Sequence, residues 1–300
     1  MKSQVFTVLL SMFKLLTAKP IVDNTLENLK TRCLQLKNGG LPPKMSIILV
    51  GNNPASLIYI KNKKRLCQKI GANFELIQLD ESITSKKFLS VVDKVNSDSE
   101  TTGCFVQLPI PKQLHYLDTS TLISPEKDID GFHQNSSIDL YFNKEKSFTP
   151  CTPKGIIKLL NHYKIKIPGK HIVIVGRSYI VGKPLSLLLS NLNATVTLCH
   201  SKTVNLKTHT RSADIIISAT GMAQFLDETF VKDDKKQIII DVGMNKAPNK
   251  EICGDVDFHK VKDKVFAITP VPGGVGPLTV LSLLENLIIA TEKLSKKDKS

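Results

Sequence analysis

Tyr59 and Lys63 stand four residues apart, just after the turn Gly51-Asn52-Asn53-Pro54, a spacing that puts both side chains on one face of a helix. A lysine held out of water can move protons near neutrality, and a tyrosine beside it can stack on a flat ring. A plainer reading makes Lys63 one of four surface cations between Lys61 and Arg65 and Tyr59 an amphipathic core ring; on spacing alone that reading is the stronger. Gln107 closes an apolar run before Pro109, where a polar side chain needs a partner or a task. Asp128 and Asp130 lie in a loop begun by Pro125, where either could instead be a turn residue bonding its own backbone. Taken together, Lys, Tyr, Gln and Asp drawn to strand ends point to a substrate site in a cleft.

A second constellation follows the apolar run His171 to Val175. Gly176-Arg177-Ser178-Tyr179-Ile180-Val181-Gly182-Lys183-Pro184 reads as a glycine turn opening a helix, where the backbone can approach a pyrophosphate and free N–H groups await it. The spacing is Gly-x5-Gly rather than G-x-G-x-x-G, and a plain strand-to-helix turn explains it nearly as well. The next strand ends in Cys199-His200-Ser201-Lys202-Thr203, where an NAD site would place Asp or Glu against the ribose. With no acid there to repel a 2′-phosphate, and Arg177 and Ser201 able to donate to one, NADP is favoured over NAD.

The elements that must carry these residues alternate. The spacing predicts a helix from Val22 to Leu36, a strand from Ser46 to Val50, a helix from Ala55 to Ile70, a strand from Glu75 to Leu79, a helix from Lys86 to Val95 and a strand from Cys104 to Leu108. Ser147 to Pro153, with two prolines, reads as a domain linker. Beyond it come a helix from Lys154 to His162, the strand His171 to Val175, a helix from Gly182 to Asn191, and strands Thr195 to Leu198, Ile215 to Ser218, Gln237 to Asp241 and Val265 to Ile268. Their apolar runs alternate little, as parallel strands covered on both faces should. A last helix, Pro277 to Lys293, follows a Gly-rich turn and is expected to return to the first domain. Two α/β domains thus meet near residue 150, the second a Rossmann-like doubly wound parallel sheet, with a ligand cleft between them.

Composition narrows the class of partner. The 300 residues carry a net charge of +14, which suits anionic ligands. Trp is absent and Phe plus Tyr number 17, too few stacking platforms for a nucleic-acid module, so no nucleic acid is expected. Six cysteines lie at least 34 residues apart; no metal site is expected from them, and they read as reduced core residues in a cytoplasmic setting. The apolar run Val5 to Phe13 is too short to span a bilayer, residues 1–13 read as an extension, and no membrane association is expected.

Eight ordered motifs bear a closer comparison: Val50 to Ser56 with Tyr59-x-x-x-Lys63, Gly103 to Pro111, Pro125 to His133, Pro150-Cys151-Thr152-Pro153-x-Gly155, Gly176 to Pro184, Cys199 to Thr203, Gly254 to Phe258, and Thr269 to Pro277. In these the chain, from about Lys14 to Thr291, closely resembles the bifunctional methylenetetrahydrofolate dehydrogenase/methenyltetrahydrofolate cyclohydrolase family. It departs from the family's pattern at Ser136 to Leu140 and at Leu287, away from the motif residues expected to do chemistry.

The resemblance implies oxidation of 5,10-methylenetetrahydrofolate with NADP, then hydrolysis of the 5,10-methenyl product to 10-formyltetrahydrofolate at the same folate site. It implies that Lys63 is the chief catalytic residue, Tyr59 stacks on the folate, Gln107 hydrogen-bonds Lys63 and Asp130 anchors the pterin. Val106, Leu108 and the segment Pro272, Gly273, Gly274, Val275, Gly276, Pro277, Leu278, Thr279 and Val280 would line the folate, polyglutamylated or not. Gly176, Arg177, Ser178, Ile180, Gly182, His200, Ser201, Thr220 and Met244 would hold the cofactor. It further implies a homodimer serving one-carbon metabolism and purine biosynthesis, with residues 14–150 plus 277–295 as the folate-binding catalytic domain and 151–276 as the NADP-binding domain. Two rivals stay open: an NAD-preferring dehydrogenase with weak cyclohydrolase activity, and a catalytically silent dinucleotide-binding module.

Overall fold

Short runs rich in Ile and Val become strands buried on both faces, and longer runs with three- and four-residue apolar spacing become the helices that cover them. The computed structural model describes residues 13–144, 146–247 and 251–297, apart from the side chains of residues 55 and 297. In chain order the first elements are β1 (Lys14–Leu15), α1 (Lys19–Asn38), β2 (Lys44–Val50), α2 (Pro54–Lys69), β3 (Asn73–Leu79), α3 (Ser85–Ser97), β4 (Gly103–Val106) and α4 (Gln134–Tyr141). Then follow α5 (Cys151–His162), β5 (His171–Val175), α6 (Gly182–Asn191), β6 (Thr195–Cys199), α7 (Leu206–Ser212), β7 (Ile215–Ser218) and β8 (Ile238–Asp241). The chain closes with β9 (Asn245–Lys246), β10 (Ile252–Cys253), α8 (Phe258–Val261), β11 (Ala267–Ile268) and α9 (Val275–Lys297).

Two parallel sheets result. The smaller has the order β3-β2-β4 and the larger β1-β11-β8-β7-β5-β6. In the larger sheet, alternate residues feed different cores: Ile172, Ile174, Ile215, Ile217 and Ile240 join the core shared with α1, α5 and α9, while Val173, Val175, Ile216 and Ile239 join the core on the other face. A sheet covered on both faces is the doubly wound arrangement that the uninterrupted apolar runs predict. Its strand order reverses between β5 and β7, since the chain goes from β5 out to β6 and returns to β7 on the opposite side. That reversal opens a crevice at the carboxyl ends of those two strands.

α9 is apolar nearly all round because it is wrapped all round, packing on α1, α2, α5 and β4. It is long and apolar enough to cross a membrane, yet 72% of its most apolar window is buried inside the protein. Gly155 lets α5 approach it closely, since a Cβ there would meet the backbone carbon of Leu278 at 3.0 Å.

The structure corrects the sequence reading in several places, beyond the short β9, β10 and α8 that it adds. Residues 14 and 15, expected in the first domain, form β1, which pairs with Ala267 and Ile268 of the larger sheet; a two-residue strand carries no periodicity to read. Phe13, expected in a free extension, sits against Phe258 with ring centroids 6.0 Å apart, while residues 1–12 lie outside the described residues. The expected linker Ser147 to Pro153 is partly helix, because Pro153 falls in the first turn of α5, where a missing N–H costs no hydrogen bond. The sequence reading gave no helix at α4 or α7, each too short for an apolar stripe: α4 buries Ser136 and Leu140, and α7 buries Thr210.

Candidate active site

α2 begins at Pro54, whose fixed φ suits a first helical position, and carries Tyr59 and Lys63 toward the interior while Lys61, Lys64 and Arg65 stay exposed. Lys63 is 7% exposed. Its Nζ donates to Gln107 Oε1 at 2.9 Å and lies 4.2 Å from the centroid of the Phe105 ring. Burial holds its pKa below the usual lysine value, opposed by the negative charge of Asp130. Gln107 follows β4 directly: its backbone N–H extends the ladder to Ile48 O at 2.8 Å, and its Nε2 donates to Leu108 O at 2.9 Å. With Nε2 committed, Oε1 is left to face Lys63.

The two aspartates of the following loop part ways. Asp128 is buried and accepts the His133 N–H on Oδ2 at 2.6 Å; burial and the neighbouring Asp130 push its carboxyl up to about 7. It is the turn residue. Asp130 faces the cleft instead, its carboxyl raised by burial against the pull of Lys63 and a hydrogen bond with the Cys151 thiol. Burial in turn holds that thiol well above its ordinary value, so it stays protonated, with Ile129 O as a further acceptor 3.4 Å from Sγ.

A cavity of about 280 Å³ lies between the two sheets. Tyr59, Lys63, Gln107, Leu108 and Asp130 form one wall; Pro272, Gly273, Gly274, Val275, Gly276, Thr279 and Val280 form another, with Ile180 and Met244 on the side of the larger sheet. Tyr59 donates its hydroxyl across the opening to Met244 Sδ at 2.7 Å. Three of the expected folate contacts do not line this cavity: Val106 packs in the core under α3, Leu278 packs in the core shared with α1 and α5, and Pro277 is absent from its walls. Sequence reasoning missed Phe132, Thr152, Asp241 and Gly243, which line it. Asp241 was accessible to that reasoning, as an acid ending a buried strand.

The expected cofactor residues gather at the crevice of the larger sheet. Gly176 follows β5 with φ +125°, and a methyl there would overlap Ala219 O at the end of β7. A methyl on Gly182 would overlap Gly176 O, so the Gly-x5-Gly spacing is that of a turn folded onto itself. It delivers the chain to the N-terminus of α6, which has no side-chain cap; the Lys183 N–H is taken by Ser178 O at 3.0 Å and Pro184 has none, so the Gly182 N–H and the positive end of the helix dipole are what face an anion. Val175 pairs with Cys199, so Gly176, Arg177 and Ser178 emerge beside His200 and Ser201. Arg177, Ser178 and Ser201 are exposed, and His200 Nδ1 accepts the Lys202 N–H at 3.1 Å. Thr220 follows β7, with its N–H bound to Asp255 Oδ2 at 2.6 Å. Glycines closing on backbone, an uncapped helix end, exposed cationic and hydroxyl side chains and no acid at the end of β6 fit a dinucleotide with a 2′-phosphate.

Comparison with known proteins agrees with this geometry. Residues 16–130 match the family model described as tetrahydrofolate dehydrogenase/cyclohydrolase, catalytic domain, and residues 150–295 match its NAD(P)-binding domain. The bifunctional protein FolD of Staphylococcus epidermidis is 45% identical over 283 residues, 94% of this chain and 98% of that protein. The crystal structure of the FolD dehydrogenase/cyclohydrolase of Campylobacter jejuni superimposes with a TM-score of 0.89 at 40% identity, covering 94% of this chain and 99% of the other. A Trypanosoma brucei FolD structure, complexed with NADP and an inhibitor, gives a TM-score of 0.88 at 28% identity, covering 94% and 98%.

Proposed function

This chain belongs to the tetrahydrofolate dehydrogenase/cyclohydrolase family, and from that premise we propose how its cleft works. The protein is a bifunctional enzyme of one-carbon metabolism: it oxidises 5,10-methylenetetrahydrofolate to the 5,10-methenyl form with NADP, then hydrolyses that product to 10-formyltetrahydrofolate. The observation that carries the residue assignment is the buried Lys63, hydrogen-bonded to Gln107 beside Asp130 in the cleft.

The folate lies between Tyr59 and the Pro272–Val280 segment, with Asp130 accepting N–H groups of the pterin. Tyr59 stacks on it, and burial, which raises the phenol's pKa, keeps the hydroxyl a donor. NADP would supply the hydride acceptor, and Gly176, Arg177, Ser178, the α6 N-terminus, His200, Ser201, Thr220 and Met244 would hold it. For this step the chain's own work is alignment of two rings and exclusion of water.

Hydrolysis needs more from the side chains. The methenyl group is already an amidinium-like cation, so water addition calls for proton removal rather than for a Lewis acid. Neutral Lys63 takes the proton of the attacking water as oxygen bonds to the methenyl carbon; the carbon–nitrogen bond on the N5 side then breaks as the new hydroxyl gives up its proton and N5 takes one up, leaving the formyl group on N10 and an N–H at N5. Gln107 Oε1 fixes the amine's direction, and Asp130 returns part of the charge stabilisation that burial removes.

The working unit is a homodimer in the cytoplasm that feeds formyl transfer in purine biosynthesis. Support for this comes from the resemblance, from β3, which among the described residues pairs on its β2 side alone, and from six free thiols. A spectrophotometric assay tests the function: the purified protein should reduce NADP with methylenetetrahydrofolate and should consume methenyltetrahydrofolate with no cofactor added. Absence of both activities would return the chain to a silent binding module.

A further inference from the structure

Asp241, ending β8, and Asp255, following β10, are buried carboxylates that each rest on a glycine of the other's segment. A methyl on Gly254 would overlap Asp241 Oδ2, and a methyl on Gly243 would overlap Asp255 Oδ1. Asp241 Oδ1 accepts the N–H groups of Gly243 and Asp255, both at 2.9 Å, and its Oδ2 accepts that of Val256 at 2.9 Å. Asp255 Oδ2 accepts Ser218 Oγ at 3.2 Å and the N–H groups of Thr220 at 2.6 Å and Gly221 at 3.3 Å. Its Oδ1 accepts Asn245 Nδ2 at 2.9 Å. Both carboxylates are thus filled by the protein's own donors, and the pair is a clasp rather than a ligand site.

The clasp joins three segments that meet at the working end of the larger sheet. The one after β7 touches the cofactor turn, since Ala219 O closes against Gly176. The one after β8, Val242 to Met244, walls the cleft and meets Tyr59 through Met244. The carboxylate of Asp255 grips the first of these through Thr220 and Gly221 and the chain directly after the second through Asn245, the first residue of β9. A buried carboxylate with several N–H donors is a stiff joint, because losing one acceptor leaves a buried donor unpaired.

We propose that Asp255 is a positioning residue for hydride transfer: it locks the post-β7 loop against the chain that follows β8, fixing the spacing between the residues that would hold the cofactor and those that wall the cleft. This rests on the function given above. Four of the clasp's bonds fall on Ser218, Thr220, Gly221 and Asn245, none of which lines the cleft, so its loss separates the two activities, because hydrolysis of supplied methenyltetrahydrofolate requires no NADP.

The test measures both activities in full-length Asp255→Asn, whose amide would present N–H toward the donors it should accept. KM for NADP is expected to rise roughly tenfold or more, while kcat/KM for methenyltetrahydrofolate hydrolysis stays within about twofold of wild type. Ile239→Val, in the core of the same sheet, supplies a control for loss of stability and should lower the melting temperature without moving KM for NADP. Should Asp255→Asn fail to fold, Asn245→Ala removes one donor from the same carboxylate and should raise KM for NADP less, again sparing hydrolysis. An unchanged KM for NADP in the variant that folds overturns the proposal, as does an equal rise in Ile239→Val. Wild-type protein that oxidises no methylenetetrahydrofolate would instead overturn the functional reading, and the proposal with it.

Discussion

Lys63 and Gln107 are joined by a bond of 2.9 Å whose direction is set from outside the pair, because the Gln107 amide nitrogen is already given to Leu108 O. The lysine that spacing alone would leave in solvent is therefore the buried one, with its neighbours Lys61 and Lys64 outside. Lys63→Met should lower the hydrolytic step by ~100- to 10,000-fold, the range of a general base, and spare more of the oxidation. Lys61→Met and Lys64→Met remove the same charge and should change neither rate by more than about twofold. Equal behaviour of all three variants would place Lys63 back among the surface cations.

Asp130 sets the pH at which Lys63 works. Burial lowers the lysine's pKa and the Asp130 charge opposes that, so neutralising Asp130 removes the opposing influence. The hydrolytic rate should rise with pH as Lys63 loses its proton, and in Asp130→Asn this rise should move to lower pH. Asp130→Ala should also weaken folate binding and leave NADP binding near wild type. A rate profile that moves to higher pH in Asp130→Asn would refute the charge coupling.

Asp128 predicts a stability effect instead. Its carboxyl is raised to about 7 from 3.8, so the folded state holds a proton that the unfolded chain gives up. Its contribution is complete below about pH 4, declines as pH rises toward 7, and is lost above that. Asp128→Asn, which keeps an acceptor for the His133 N–H, should therefore compare better with wild type at about pH 8 than at about pH 5 in urea unfolding. Folate affinity should hold. A constant difference across that range would show that Asp128 stays ionised in the fold.

Arg177 stands exposed on the cofactor turn, beside a strand end with no acid. A charge-assisted bond to a 2′-phosphate is worth roughly 1.5–3 kcal/mol, about one to two orders of magnitude in binding. Arg177→Ala should cost NADP that much in kcat/KM and cost NAD little. Equal losses with the two cofactors would assign Arg177 to the shared part of the dinucleotide.

The larger sheet was legible because each of its central strands is a continuous Ile and Val run between turn residues; β5, α6 and β7 begin and end where the pattern places them. The catalytic face was legible in part. Tyr59 and Lys63 share a helix face by spacing, but what buries Lys63 is Phe105 and Gln107 arriving from more than forty residues away, a contact no local pattern contains. By local pattern Asp128 and Asp130 could not be told apart, since both suit a turn; the family resemblance alone singled out Asp130, and the Cys151 thiol that contacts it comes from a distant helix. The Asp241 and Asp255 clasp was hidden for a similar reason: it needs the β9–β10 hairpin to bring residues 14 apart into contact.

β1 lies in the larger sheet while the helix after it packs on α9, and α9 lies with the smaller sheet although it follows β11 of the larger. Each half of the chain thus lends a terminal piece to the other's fold. A protease cut in the exposed stretch Phe142 to Lys144 would yield fragments that still embrace, and the nicked protein should travel as one particle and melt in one transition. The same exchange makes the two halves, produced separately, natural candidates for complementation on mixing, each carrying the end that the other lacks.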